Sequence, residues 1–268
     1  MRRLLLLLIL LAAGTAQCLG AAKLLVTVIE SRTGRLVPDL TTADFVVTDS
    51  GRVRQVESCE YTSALVDVMM LVDSSLVGEM VLPVAADLVG QLQEKEQMAI
   101  VAFHSAADLV QDFTSSKEHL LRAIREIKFG NNPRVLDAVF AAADGGFANT
   151  SFRRVILLVT AGVEGPSRVT ERSVIKVARR NGISIYPVYA VGYARGMFER
   201  LAVQTGGASF SLRDLTRERE ESPPAARIFE VLRHHYALTL RGNLALGENI
   251  KVELKRPGRY LVSALPLD

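Results

Sequence analysis

The stretch ALVDVMMLV (64–72) carries one charged residue, Asp67, in an otherwise continuous apolar run. A run of that length with no polar alternation predicts a strand covered on both faces, as in a parallel sheet. Four more segments read the same way: MAIVAF (98–103), RRVILLVT (153–160), ISIYPVYAV (183–191) and ASFSL (208–212). Helical spacing fills the intervals. Val81, Val84, Ala85, Leu88, Val89 and Leu92 mark one helix, with Pro83 tolerated in its first turn. Ser115 with Glu118 three residues on reads as a capping box ahead of Leu120, Leu121, Ile124 and Ile127. Val174, Val177 and Ala178 mark a helix stopped by Asn181-Gly182, and Phe198, Leu201 and Ala202 another stopped by Gly206-Gly207. Strand and helix patterns alternate over roughly 150 residues, which predicts one α/β domain with a doubly wound, mainly parallel sheet.

Outward from this block the pattern changes. Short strands are expected at 24–30, 44–49 and 53–59, separated by the turn signals Thr33-Gly34 and Ser50-Gly51. After the acidic, proline-containing stretch at 217–225, Ser222 and Pro223 suggest a last helix through Phe229 and Leu232. Strand patterns return at 236–240, 250–255 and 259–264. Neither flanking set suffices alone, so the two are expected to share one sheet in a small β module. The expected layout is a signal peptide at 1–22, amino-terminal module strands at 23–62, the α/β domain at 63–216, a connecting helix at 217–234 and carboxyl-terminal module strands at 235–268.

The leader expectation rests on Arg2 and Arg3 ahead of an apolar run from Leu4 to Ala13 and then small residues, with cleavage after Ala16 or around Gly20 to Ala22. That run is short for a membrane helix, and no later segment approaches the required length without charges. Removing both arginines leaves 30 basic against 29 acidic residues (32 − 2 against 29), a balance that points away from nucleic acid. The runs Arg153-Arg154 and Arg179-Arg180 are read as solvated ends of secondary structure. Of the two cysteines, Cys18 falls within the leader, where the preceding Thr15-Ala16-Gln17 does not favour lipid attachment. Cys59 is read as a buried structural thiol.

A search for catalytic groups is negative. The chain has no HExxH, paired CxxC, GxSxG or phosphate-cradling glycine loop. Ser173 and Lys176 have SxxK spacing but are expected mid-helix, and adjacent His234 and His235 point apart on either a helix or a strand.

VMMLVDSS (68–75), VAF (101–103), LDAVFAA (136–142) and VILLVTAG (155–162), in that order and spacing, resemble a von Willebrand factor type A domain. The flanks extend the likeness: residues 26–60 and the closing strands are similar to the bacterial von Willebrand factor A-related family abundant in acidobacteria. The resemblance implies a divalent-cation adhesion site built from Asp-x-Ser-x-Ser, a threonine and the aspartate of Thr-Asp-Gly. A hard ion such as Mg²⁺ wants about six oxygen ligands. Asp73 and Ser75 keep two of these positions, whereas Val77, Pro133 (four residues before Asp137) and Ala161 stand where the family supplies oxygens. The site is therefore expected to be degenerate and without a bound cofactor. Ser74, Glu79, Asn131, Asn132 and Glu164 are the nearby residues able to compensate, and Asp73 is expected to cap the following helix. The expected function is binding or scaffolding of a protein partner. A metal-dependent adhesion domain with nonstandard ligands comes second and an enzyme third.

Overall fold

The computed structural model describes residues 21–217, 222–242 and 249–267. The expected leader, its cleavage points and Cys18 lie outside the described residues, apart from Ala21 and Ala22. Strands run over Ala21–Glu30 (β1), Phe45–Asp49 (β2), Arg52–Arg54 (β3), Val56–Ser63 (β4), Val66–Asp73 (β5), Gln97–Phe103 (β6), Ala107–Thr114 (β7), Arg153–Thr160 (β8), Ile183–Tyr189 (β9), Phe210–Ser211 (β10), His234–Arg241 (β11), Ile250–Leu254 (β12) and Tyr260–Leu267 (β13). The α-helices are Leu82–Gly90 (α1), Lys117–Arg125 (α2), Val135–Gly145 (α3), Glu171–Arg180 (α4), Arg195–Gln204 (α5), Leu212–Arg217 (α6) and Pro224–Arg233 (α7).

A six-stranded sheet in the order β10-β9-β8-β5-β6-β7 forms the centre, parallel except for β7, which runs antiparallel to β6. Period-two alternation along β5 sends Val68, Met70 and Val72 to one face and Met69 and Leu71 to the other. The first face packs on α1, α2 and α7 through Leu88, Leu120, Ile124 and Phe229; the second packs on α3, α4 and α5 through Val139, Val174 and Leu201. Burial on both faces explains why β5 has no exposed position and reads as one apolar run. The architecture is thus the expected doubly wound α/β sheet. The edge strand β7 is absent from the sequence reading because Asp108, Gln111 and Asp112 interrupt its apolar positions at a solvent-facing edge.

The flanks combine, but in two sheets rather than one. One has the order β13-β1-β11-β4 and the other β12-β2-β3, so each mixes strands from both ends of the chain. The stretch expected as one strand at 53–59 divides at Gln55, with β3 in one sheet and β4 in the other. Two sheets allow each to cover the other's apolar face, as Leu24, Val26, Tyr236 and Leu238 do against Phe45, Val47 and Val252. The Tyr236 hydroxyl donates to the Val37 carbonyl and accepts from Leu40 N at 3.0 Å, which fixes the loop between β1 and β2. β1 is buried on both sides: Val26 and Val28 enter the module core, while Thr27 donates to Gly206 O at 2.9 Å and Ile29 joins the domain core.

Three local expectations change. Ser116, not Ser115, caps α2, its Oγ accepting from His119 N at 3.3 Å, while Glu118 pairs with Arg122 one turn on. Ser115 stands one residue too early for its hydroxyl to reach an amide of the first turn. Ser173 lies in the first turn of α4, where Thr170 caps its amide, rather than mid-helix. Arg153 and Arg154 are not solvated ends. Arg153 donates to Leu232 O of α7, Ser184 Oγ and Tyr186 Oη of β9, and Arg154 donates to Asn181 O at 3.2 Å just past α4, because α7 and the end of α4 close over that end of the sheet.

Candidate functional site

Asp73 ends β5 at the carboxyl ends of the parallel strands, the ordinary ligand position of open α/β sheets. Its side chain is fully buried. Oδ1 accepts from Ser75 N at 2.9 Å; Oδ2 accepts from the Thr160 hydroxyl at 2.9 Å and from Ala161 N at 3.0 Å. The expected helix-capping role is therefore corrected. The carboxylate closes its own turn and reaches across to the end of β8, accepting from Ser75 N, Thr160 Oγ1 and Ala161 N rather than from amides of the turn of 3-10 helix at Gly78–Val81. Gly78 makes the tight turn feasible: a Cβ there would stand 2.2 Å from Asp73 O.

Three loops meet here. The first, 74–78, joins the second through Gly130 N donating to Ser74 O at 2.9 Å and a bridge between Ser75 and Gly130. The second, 130–134, holds Asn132 at φ 60, a left-handed conformation that asparagine tolerates, and leads into α3. The third, 161–167, is tied to the second by Gly165 N to Pro133 O at 2.7 Å and by Glu164, whose Oε2 accepts from Val135 N at 2.8 Å at the start of α3. Burial raises the Glu164 pKa against hydrogen bonds that lower it. Asp137 serves the third loop as well, its Oδ1 accepting from Arg168 N at 2.7 Å and Val169 N at 3.0 Å. Carboxylate-to-amide bonds from Asp73 and Glu164 thus hold the loops together, and such charge-assisted bonds are stronger than neutral ones.

The Asp73 oxygens already accept three hydrogen bonds. The Val77 side chain is exposed, while Pro133 and Ala161 are buried and offer no side-chain oxygen. Among the described residues, no group of three His, Cys, Asp or Glu side chains is placed to hold a metal. Four buried polar atoms of these loops lack a hydrogen-bond partner: Ser74 Oγ, Ser75 Oγ, Arg134 Nε and Glu164 Oε1. Sequence reasoning singled out Ser74, Ser75 and Glu164 but missed Arg134, since an arginine after a proline carries no motif of its own.

The remaining candidates are structural. Cys59 is half-buried, its thiol 3.7 Å from Leu40 O, because β4 is an edge strand of its sheet. His234 stacks on Tyr61, while the neighbouring His235 is buried at the start of β11, the divergence expected on a strand. A separate cleft of about 350 Å³ lies between the domain and the module, lined by Tyr189, Arg195, Asp214 and Tyr260 among others.

A profile of the von Willebrand factor type A domain matches residues 67–218, more than half of the chain. A search of curated proteins finds no match. Among solved structures, an aerotolerance-related membrane protein from Bacteroides fragilis NCTC 9343 superposes with TM-score 0.53 at 14% identity, covering 62% of this chain and 98% of that one. Proximal thread matrix protein 1 from the mussel byssus, in a form with a zinc-occupied MIDAS motif, gives TM-score 0.52 at 15% identity over 68% of this chain and 50% of the mussel chain. At these identities the likeness concerns the fold.

Proposed function

The chain belongs to the von Willebrand factor type A domain family, and from that premise we propose that it is an exported, non-catalytic binding or scaffold protein. It engages a protein partner through the three loops at the carboxyl end of its sheet, without a metal ion between them. The observation that carries this reading is the use of the Asp73 carboxylate. Its oxygens accept from three donors and hold the loops in place, a task that needs no cation. Family domains of this kind are typically interaction modules, and among the described residues no helix is long and apolar enough to cross a membrane. Export follows from the leader pattern at 1–22, and the domain spans 63–216 with the flanks 23–62 and 235–268 joined in the module through the connecting helix at 217–234. The resemblance of the flanks to the acidobacterial family supports a bacterial origin. Amino-terminal sequencing of native material is expected to begin between about residues 17 and 23; an intact Met1 in a cytoplasmic pool would refute export.

A second reading is a metal-dependent adhesion domain with nonstandard ligands. It is favoured by the unpartnered oxygens of Ser74, Ser75 and Glu164 and by the zinc-occupied motif of the mussel protein. Thermal melting separates the two. A site with Kd near 10 μM would contribute about 2.7 kcal/mol at 1 mM ion, whereas the metal-free reading expects no shift between Mg²⁺ or Mn²⁺ and EDTA. Saturable binding abolished by Asp73→Ala would establish the second reading.

A further inference from the structure

Charge is unevenly spread along the chain. Residues 165–204 carry seven Lys and Arg against two Glu and no Asp, a formal charge of +5, whereas the rest of the chain carries 25 basic and 27 acidic residues (32 − 7 against 29 − 2). That segment builds α4, β9 and α5. β9 is buried throughout, so all seven cations fall on α4, on α5 and on the loop leading into α4.

Helical periodicity then sorts them. α4 turns Val174, Val177 and Ala178 onto the sheet, which leaves Arg172, Lys176 and Arg180 exposed on the opposite side at four-residue spacing. At a rise of about 1.5 Å per residue these charges follow one another at about 6 Å along the helix. Arg168, also exposed, extends the row into the preceding loop. Like charges at this spacing repel, and an opposite charge outside the protein would relieve them.

Little within the chain does so. Arg168, Arg172 and Lys176 form no ion pair among the described residues, and Arg180 meets Asp144 at 3.2 Å with both side chains more than half exposed, a contact worth little in water. The two glutamates are committed elsewhere. Glu171 accepts from Arg200 across the seam between α4 and α5 at 2.7 and 2.8 Å, and Glu199 accepts from Arg195 one turn away at 2.7 Å. The bidentate bridge holds α4 and α5 side by side as one layer. Every exposed position of these two helices is either charged or one of Ser173, Gly196 and Gln204, so the layer offers no apolar anchor of the kind that centres a protein interface. Tyr193, 87% exposed, stands two residues before α5, and tyrosine is favoured where membrane meets water.

We infer that the outer face of α4 and α5 rests against an anionic phospholipid bilayer, with Arg168, Arg172, Lys176 and Arg180 toward the headgroup phosphates and Tyr193 at the interface. Clusters of about four to eight Lys or Arg on an amphipathic helix bind such surfaces, each residue contributing about fivefold in partition. The attachment goes beyond partner binding at the three loops and does not depend on it.

The test is co-sedimentation of the full chain with vesicles of phosphatidylcholine and with vesicles of equal parts phosphatidylcholine and phosphatidylglycerol, beside a gel shift with duplex DNA. The apolar run at 4–13 is common to all variants, so differences between them report on the folded domain. Binding to the anionic vesicles is expected to be at least tenfold tighter than to phosphatidylcholine and to be lost in about 1 M salt, where the Debye length falls to about 3 Å. Arg172→Glu with Lys176→Glu should weaken it about 25-fold or more at an unchanged melting temperature. Arg125→Glu with Lys128→Glu makes the same change of net charge at α2, on the other face of the sheet and beyond a Debye length, and should weaken it less than about threefold. Should the first variant fail to fold, Arg172→Gln with Lys176→Gln is expected to weaken binding at least fivefold. Equal losses at α2 and α4, indifference to phosphatidylglycerol, or DNA shifted at the protein concentration that half-saturates the vesicles would overturn the assignment.

Discussion

The two ends of the six-stranded sheet are built on opposite terms. At the amino ends of the strands, Asp67 accepts from Ser151 N at 2.9 Å and Phe152 N at 2.7 Å, and Glu96, fully buried, accepts from Arg233 at 2.6 and 2.9 Å and from Gln93 N at 2.9 Å. Apart from the Nε of Arg153, the buried polar side-chain atoms of this end are partnered. The β module is joined here, through Ala64 N to Arg233 O at 3.0 Å and Ser263 Oγ to Gly207 O at 2.6 Å. At the carboxyl ends, four buried polar atoms stand unpartnered beneath exposed apolar groups. One end is finished within the chain, and the other keeps unmet hydrogen-bonding capacity in its loops. The contrast shows that buried charge at the closed end serves docking of the flanks, whereas at the open end it positions loops.

If that division holds, substitutions at the closed end should be felt in stability and those at the open end in binding. The largest loss is expected for Glu96→Ala, which leaves Arg233 without its carboxylate; breaking a buried pair from one side costs about 3–5 kcal/mol, measurable by urea unfolding. A loss below about 1 kcal/mol would mean that the closed end is not what holds α7 and β11 in place.

The next largest effect concerns acid. Burial first, and then the charge of Arg153, depress the His235 pKa from 6.5 to about 4. The fold favours the neutral imidazole, so this stability is present above pH 6.5 and is lost as pH falls toward about 4. The loss reaches up to about 3 kcal/mol. Melting followed over that window should decline in the unmodified protein and flatten in His235→Gln; parallel curves would remove His235 from the account.

At the open end, Glu164→Ala should cost about 2 kcal/mol, the worth of one charge-assisted hydrogen bond, and should speed amide exchange at Val135. Unchanged exchange would show that Glu164 does not tie the third loop to α3. The triple change Val77→Ser, Pro133→Thr and Ala161→Asp sharpens the same point. It places a second carboxylate beside Asp73, so the variant should be less stable in EDTA and recover with Mg²⁺. The smallest stability effect is expected for Leu76→Ser, within about 0.5 kcal/mol, because an exposed side chain loses little on truncation.

Much of this was legible without coordinates. The uninterrupted run of β5 and the helical spacing of Val174, Val177 and Ala178 follow from elements buried on two faces or on one stripe, and such patterns are written in consecutive residues. Val77, Pro133 and Ala161, named from the family resemblance, stand in the first, second and third of the loops at the carboxyl end of the sheet. The donors that Asp73 meets at Thr160 and Ala161 were not legible, since they come from a strand 87 residues away whose register the local sequence does not state. Arg153 illustrates the same limit: a charged pair opening a strand reads as solvated until an element distant in sequence covers it.

By itself the sequence determined the α/β alternation and the strand β5 buried on both faces, because each is a property of residue type at a short spacing. Only the tertiary structure decided that the flanks divide into two sheets and that Glu164 fastens the third loop to α3. The physical reason is that burial and hydrogen-bond satisfaction depend on what lies across space from a side chain, and in this chain the decisive neighbours come from loops far apart in sequence.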